Sequence, residues 1–157
     1  HPEVNNFGGG GFESLDEMWD ALLTAGRRIY GVATDDAHHF KTWGRQYSNP
    51  GRGWVMVRAA ALTPGDIMQA LATGNFYAST GVELAAVEAS ATELRLEIRP
   101  QGSQRYTTYF LGPGGQTLAK SVDNTAIYKF RGERYVRARV VSSSGDIAWT
   151  QPVFLEN

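Results

Sequence analysis

From Ser14 to Arg28 the chain reads SLDEMWDALLTAGRR, and its apolar positions Leu15, Met18, Trp19, Leu22 and Leu23 recur every three or four residues. That spacing gathers them on one face of a helix. Ser14 and Glu17 have the spacing of a capping box, while Gly26 followed by Arg27 and Arg28 suits a left-handed stop and the negative end of the helix dipole. Behind it, IYGVAT (residues 29–34) is a short apolar run that stops at acids, which predicts a buried strand ending at something polar. After the Gly-, Pro- and Asn-containing stretch GRQYSNPGRG, WVMVRA predicts a second strand and NFYAST a third. Between them TPGDIMQALATG predicts a helix with Thr63 as its N-cap, Pro64 in its first turn and Gly74 past its end. Alternating strands and helices predict an α/β unit whose strands run parallel.

Around Gly81 the period changes. TELRLEIRP, RYTTYFLGP, TAIYKF, RYVRARVVS and IAWTQPVFLE alternate apolar and polar positions, with GPGG, VDN, RGE and SSSGD as turn clusters. Five or six such strands predict a small antiparallel β-sandwich, Ig-like in kind. The expected fold class is α+β in two units, residues 1–80 and residues 81–157.

Composition narrows the chemistry. The chain has 157 residues, a net charge of −1 and no cysteine. Disulfides, thiolate metal sites and a cysteine nucleophile are excluded, so any metal must be held by His, Asp, Glu or water. Basic residues such as Arg27, Arg45, Arg58, Arg95 and Arg137 are scattered, which argues against a nucleic-acid partner. No apolar segment approaches the roughly 20 residues needed to span a bilayer and no signal peptide is visible, so a soluble chain without a membrane partner is expected. It begins at His1, not Met, which fits a processed chain or a fragment.

Two of the three histidines lie in YGVATDDAHHF, residues 30–40. A strand ending in DDAHH puts carboxylates and imidazoles at its C-terminal edge, where α/β folds hold ligands. Asp36 and His38 stand two apart and, on an extended segment, face the same way, so they can share one cation. Carboxylate oxygen with imidazole nitrogen suits zinc, manganese or iron. Arg52, in PGRGWVMVR, is a candidate anion contact near that site, and Trp19, Trp43 and Trp54 read as packing residues.

GVATDDAHHF resembles the last metal-binding segment of the polymerase and histidinol phosphatase (PHP) superfamily of metal-dependent hydrolases. HPEVNNFGGGG, WDALLTAGRRIYGVATDDAHHF, PGRGWVMVRA, LTPGDIMQALATGNFYASTGVEL and YVRARVVSSSGDIAWTQPVF together look like the C-terminal portion of PHP proteins that carry a β-domain after the barrel. The resemblance implies that residues 1–80 are a partial β/α-barrel segment. It also implies divalent metals whose bound water attacks a small phosphoester or related ester. Carried onto this sequence, Asp36 and His38 would be the last two metal ligands. Asp35 would orient a ligand, and His39 would reach substrate or line the mouth. The family's opening His-x-His and its middle Glu and His ligands have no counterpart here, so the chain corresponds to part of a catalyst.

Two other chemistries are open. His1 could chelate copper through its amino group and imidazole, with His38 or His39 adding a second imidazole, as in copper monooxygenases on β-sandwich scaffolds; Pro2 and the PHP-like context weigh against it. Alternatively, Tyr106, Tyr109, Phe110, Tyr128, Tyr135 and Trp149 could stack on carbohydrate, although alternating aromatics more often fill a sandwich core. GGGG, residues 8–11, lacks a following Lys and Ser/Thr and reads as a connector rather than a phosphate loop. A partial barrel exposes apolar faces and strand edges, which predicts self-association.

Overall fold

The structure, a computed structural model, describes residues 15–44 and 46–155. Its elements, in chain order, are α1 (Asp16–Thr24), β1 (Trp54–Val57), α2 (Pro64–Thr73), β2 (Phe76–Ser79), β3 (Leu84–Ala89), β4 (Glu93–Ile98), β5 (Tyr106–Leu111), β6 (Thr117–Ser121), β7 (Thr125–Lys129), β8 (Tyr135–Ser142), β9 (Ile147–Thr150) and β10 (Val153–Phe154). Two sheets form a small antiparallel sandwich. One runs β1-β2-β9-β8-β5-β6, with β10 added on β8, and the other runs β3-β4-β7. Residues on both sides of position 80 therefore share one sheet.

Alternation along β8 shows how the layers are made. Val136, Ala138 and Val140 point inward with Leu94, Leu96, Ile98, Phe110 and Tyr128, filling the space between the sheets. Tyr135, Arg137 and Arg139 point to the opposite face, as the period of two requires. There α1 lies against the sheet, and Trp19 and Leu23 pack with Tyr135 and Trp149. The turns forecast around α2 are present. Thr63 accepts the Asp66 N–H at 3.2 Å, Pro64 opens the helix, and Gly74 closes it at φ +76°.

Three sequence expectations are corrected. No parallel strand pair and no partial β/α-barrel occur among the described residues: β1 pairs antiparallel with β2, and β2 antiparallel with β9. Helix α2 is thus an insertion in a long hairpin, not a crossover between parallel strands. IYGVAT is buried or half-buried over much of its length but joins no ladder, and Thr34 alone carries a bridge. Gly31 meets the amide of Gln151 instead, its N–H donating to Oε1 at 2.8 Å and its carbonyl accepting from Nε2 at 2.8 Å. The Trp19 ring covers Gly31 so closely that an added Cβ would lie 2.7 Å from it. Leu15, which precedes α1, makes no side-chain cap, and Ser14, on which the capping box rests, lies outside the described residues. Finally, Trp43 is not a packing residue, being 65% exposed, whereas Trp19 is 6% exposed.

Strands β3 and β6 lie outside the predicted runs. Ala-rich LAAVEA has no clean alternation, and its two-residue periodicity is broken by a register shift between Leu84 and Ala86.

Candidate functional site

The segment after Thr34 is organised by its polar side chains. Asp35 accepts three backbone N–H groups with its carboxylate, from Gly51 at 3.0 Å, Arg52 at 2.5 Å and Gly53 at 2.7 Å. Burial pushes its pKa up, but these three donors and the nearby Arg52 charge outweigh that and hold the carboxyl below its ordinary range. Asp35 thus fastens residues 51–53 to the end of the apolar run.

The loop between is closed on itself. The N–H groups of His38 and His39 both donate to the Ser48 carbonyl, at 2.9 and 3.0 Å. Buried Asn49 receives the Gly44 N–H at 3.1 Å and donates to the carbonyls of His39 at 2.8 Å and Thr42 at 2.9 Å. These bonds do the work of secondary structure in a compact loop.

Asp36 has φ +47°, the one non-glycine residue in the left-handed region among those described. The chain therefore turns at Asp36, and the extended geometry that would align residues 36 and 38 does not apply. The turn brings them together by another route. The Asp36 carbonyl lies 2.6 Å from His38 Nδ1, and the Asp36 carboxylate 3.7 Å from the same nitrogen. A carbonyl oxygen only accepts, so Nδ1 carries the proton, and neutral His38 keeps its lone pair on Nε2. Metal-binding histidines are commonly fixed in this way, by a hydrogen bond from the nitrogen that does not ligate. Both side chains are more than half exposed, 64% for His38 and 56% for Asp36.

The neighbours play smaller parts. His39 is exposed and its ring sits 5.0 Å from that of Tyr47. Arg52 turns inward, with Nη1 donating to the Tyr47 carbonyl at 3.4 Å and Nη2 buried without an acceptor among the described residues. In this position it braces the loop. Asp36 and His38 are donor types that a divalent cation accepts, but the Asp36 carboxylate lies beside Nδ1, the nitrogen already bonded, and no group of three or more His, Asp or Glu able to hold a metal occurs among the described residues. His1 and GGGG, on which the copper and phosphate-loop considerations rest, lie outside the described residues.

Of the aromatics considered for carbohydrate, Tyr106, Phe110, Tyr128, Tyr135 and Trp149 are buried, and Tyr109 is half-buried between Lys120 and Arg139. No row of exposed rings is formed by these six residues. Phe110 and Tyr128 stack on one another in the core at 5.5 Å.

A second polar centre is absent from the sequence expectations. Fully buried Arg137 holds Asp20 through Nε at 2.8 Å and Nη2 at 2.6 Å, and Nη2 also lies 3.0 Å from Asp16. Tyr135 donates to Asp20 at 3.0 Å and Trp149 Nε1 to Asp16 at 3.1 Å. The Arg137 guanidinium lies 4.6 Å from the Trp19 ring centre. Burial lowers the Arg137 pKa, yet the two carboxylates outweigh it and keep it raised, while burial pushes Tyr135 up to about 12. The signal was there in principle: Asp16 and Asp20 lie one turn apart on the helix, and Arg137 and Arg139 share a strand face. Its geometry is that of an anchor between α1 and the sheet. No family model, curated protein or solved structure matches the chain.

Proposed function

We propose that the loop from Asp35 to Gly53 is one wall of a divalent-metal site in a phosphoesterase-type hydrolase, with Asp36 and His38 as ligands. Zinc, manganese or iron suits this donor pair. The observation that carries the proposal is the His38 Nδ1–H···O=C bond, which leaves Nε2 as a fixed, exposed donor beside the Asp36 turn. A bound cation would supply a water of lowered pKa and Lewis-acid stabilisation of charge developing on a phosphoester or related ester. Asp35 holds residues 51–53 to that wall, and exposed His39 would meet substrate. A complete site would need ligands besides Asp36 and His38.

Strand order supports an Ig-like assignment for the sandwich, with β3-β4-β7 facing β9-β8-β5-β6. Self-association belongs to the same proposal. Leu62 is 95% exposed, and Met18, Phe40, Trp43 and Met68 are also exposed, all before residue 80. Such apolar surface is what a further chain or segment would cover.

Calorimetric titration of the purified chain with zinc and with manganese tests the metal site. Wild type is expected to bind at least one of them weakly, as two side-chain donors dictate, and Asp36→Ala, His38→Ala to lose that binding. Equal binding by the two proteins removes the site.

A further inference from the structure

β1 ends the larger sheet and β3 ends the smaller one. Between these two edges lies a cavity of about 580 Å³, within the range of small-molecule sites. Buried Phe76, Tyr77 and Leu94 form its floor, and Val57, Leu84 and Val87 contribute to its sides. No residue of the Asp35–Gly53 loop lines it.

The polar side chains inside are partly engaged. Gln151 is spent on both backbone groups of Gly31, and the Tyr77 hydroxyl accepts the Leu84 N–H at 3.0 Å. The Tyr77 hydroxyl keeps its own proton to donate, while Phe76 and Leu94 offer no polar atom, so the interior accepts an apolar body. The rim differs. Arg58 is exposed, reaches across from the end of β1, and donates from Nη2 to the Val87 carbonyl at 3.0 Å. It forms no ion pair among the described residues, because Glu88, the acid lining the cavity, is held by Arg95 at 3.1 Å. A cavity with an apolar floor and a cation without an ion pair at its rim is complementary to a molecule with an apolar body and one negative end.

We propose that the cavity between β1 and β3 binds a small amphipathic carboxylate, its chain or ring over Phe76 and Leu94 and its carboxylate on Arg58. Octanoate is the probe, with 1-octanol as its uncharged counterpart. Binding is followed at pH 7 by methyl NMR, below micelle-forming concentrations. Saturable shifts are expected at Met56, Val57, Leu84, Val87 and Val153, with octanoate bound about tenfold more tightly than octanol. Arg58→Gln should abolish that preference and Arg58→Lys should retain it, each protein first checked for an unchanged methyl spectrum outside the cavity. Equal affinity for the two probes, a preference that survives in Arg58→Gln, or shifts centred on Met18 and Met68 instead would overturn the proposal.

Discussion

Asp35 and His38 stand three apart in the same polar run, yet they face opposite tasks. Asp35 points its carboxylate into the loop and satisfies three backbone donors; His38 spends one ring nitrogen on the Asp36 carbonyl and presents the other. Asp35→Ala strands those donors, with water replacing part of what is lost because the site is half-buried. A loss of about 1–2 kcal/mol in urea denaturation is expected, with faster amide exchange at residues 51–53. Stability and exchange rates unchanged from wild type would contradict the clamp. The sequence made the cluster legible as chemistry, since four acids and imidazoles in five positions are hard to read as core. What it hid was the backbone. The spacing rule assumes an extended chain, and the positive φ at Asp36 breaks that assumption. An Asp tolerates that region better than most residues, but nothing in DDAHH says which of its two aspartates takes it.

α1 is held by charge as much as by apolar contact. Trp19 and Leu23 supply the packing foreseen from their spacing, and Asp16 and Asp20 complete the same side of the helix by holding Arg137 and, through Asp16, Arg139 at 3.4 Å. Asp20→Ala leaves the buried guanidinium without its bidentate partner and should cost about 3–5 kcal/mol. Replacing both partners, Asp20→Leu with Arg137→Met, should recover most of that loss. A single variant as stable as wild type in thermal and urea unfolding would show the pair to be incidental. Helix α2 was legible to its caps because Thr63, Pro64 and Gly74 act locally. IYGVAT misled for the opposite reason: whether a buried run enters a ladder depends on a partner 120 residues away, here the side chain of Gln151. Parallel pairing failed likewise, since alternation of strands and helices does not reveal that α2 returns the chain antiparallel.

At the scale of the molecule, the sandwich was visible in alternation after Gly81, whereas the recruitment of β1 and β2 into its larger sheet was not. Their short apolar runs carry no signal for which strand they join. Stability should follow pH through groups spread over this sheet and its loops. Asp35 and Glu133 have lowered pKa values: for each, burial acts upward and is outweighed by hydrogen bonds, from Gly51 and its neighbours or from Tyr128. Their contribution is present above the unfolded carboxylate value and is lost as pH falls below about 4. Tyr128 and Tyr135 are raised by burial to about 12, so their contribution is complete below pH 10 and disappears as pH rises toward 12. Unfolding free energies measured against pH should show a plateau between these limits, and a maximum confined to one end would contradict the assignment. Sedimentation velocity should show concentration-dependent association that weakens in Phe40→Ser, Trp43→Ser. A monomer at all concentrations would exclude self-association through this surface.

The proposed metal site turns on one nitrogen atom, His38 Nε2. With ¹⁵N-labelled histidine, His38 should show the form protonated at Nδ1, and added zinc should move its Nε2 resonance while leaving Nδ1 protonated. The Asp36→Ala variant should require more zinc for the same change. An Nε2 resonance unmoved by zinc, in a protein whose His38 otherwise shows the Nδ1-protonated form, would contradict the proposed metal site.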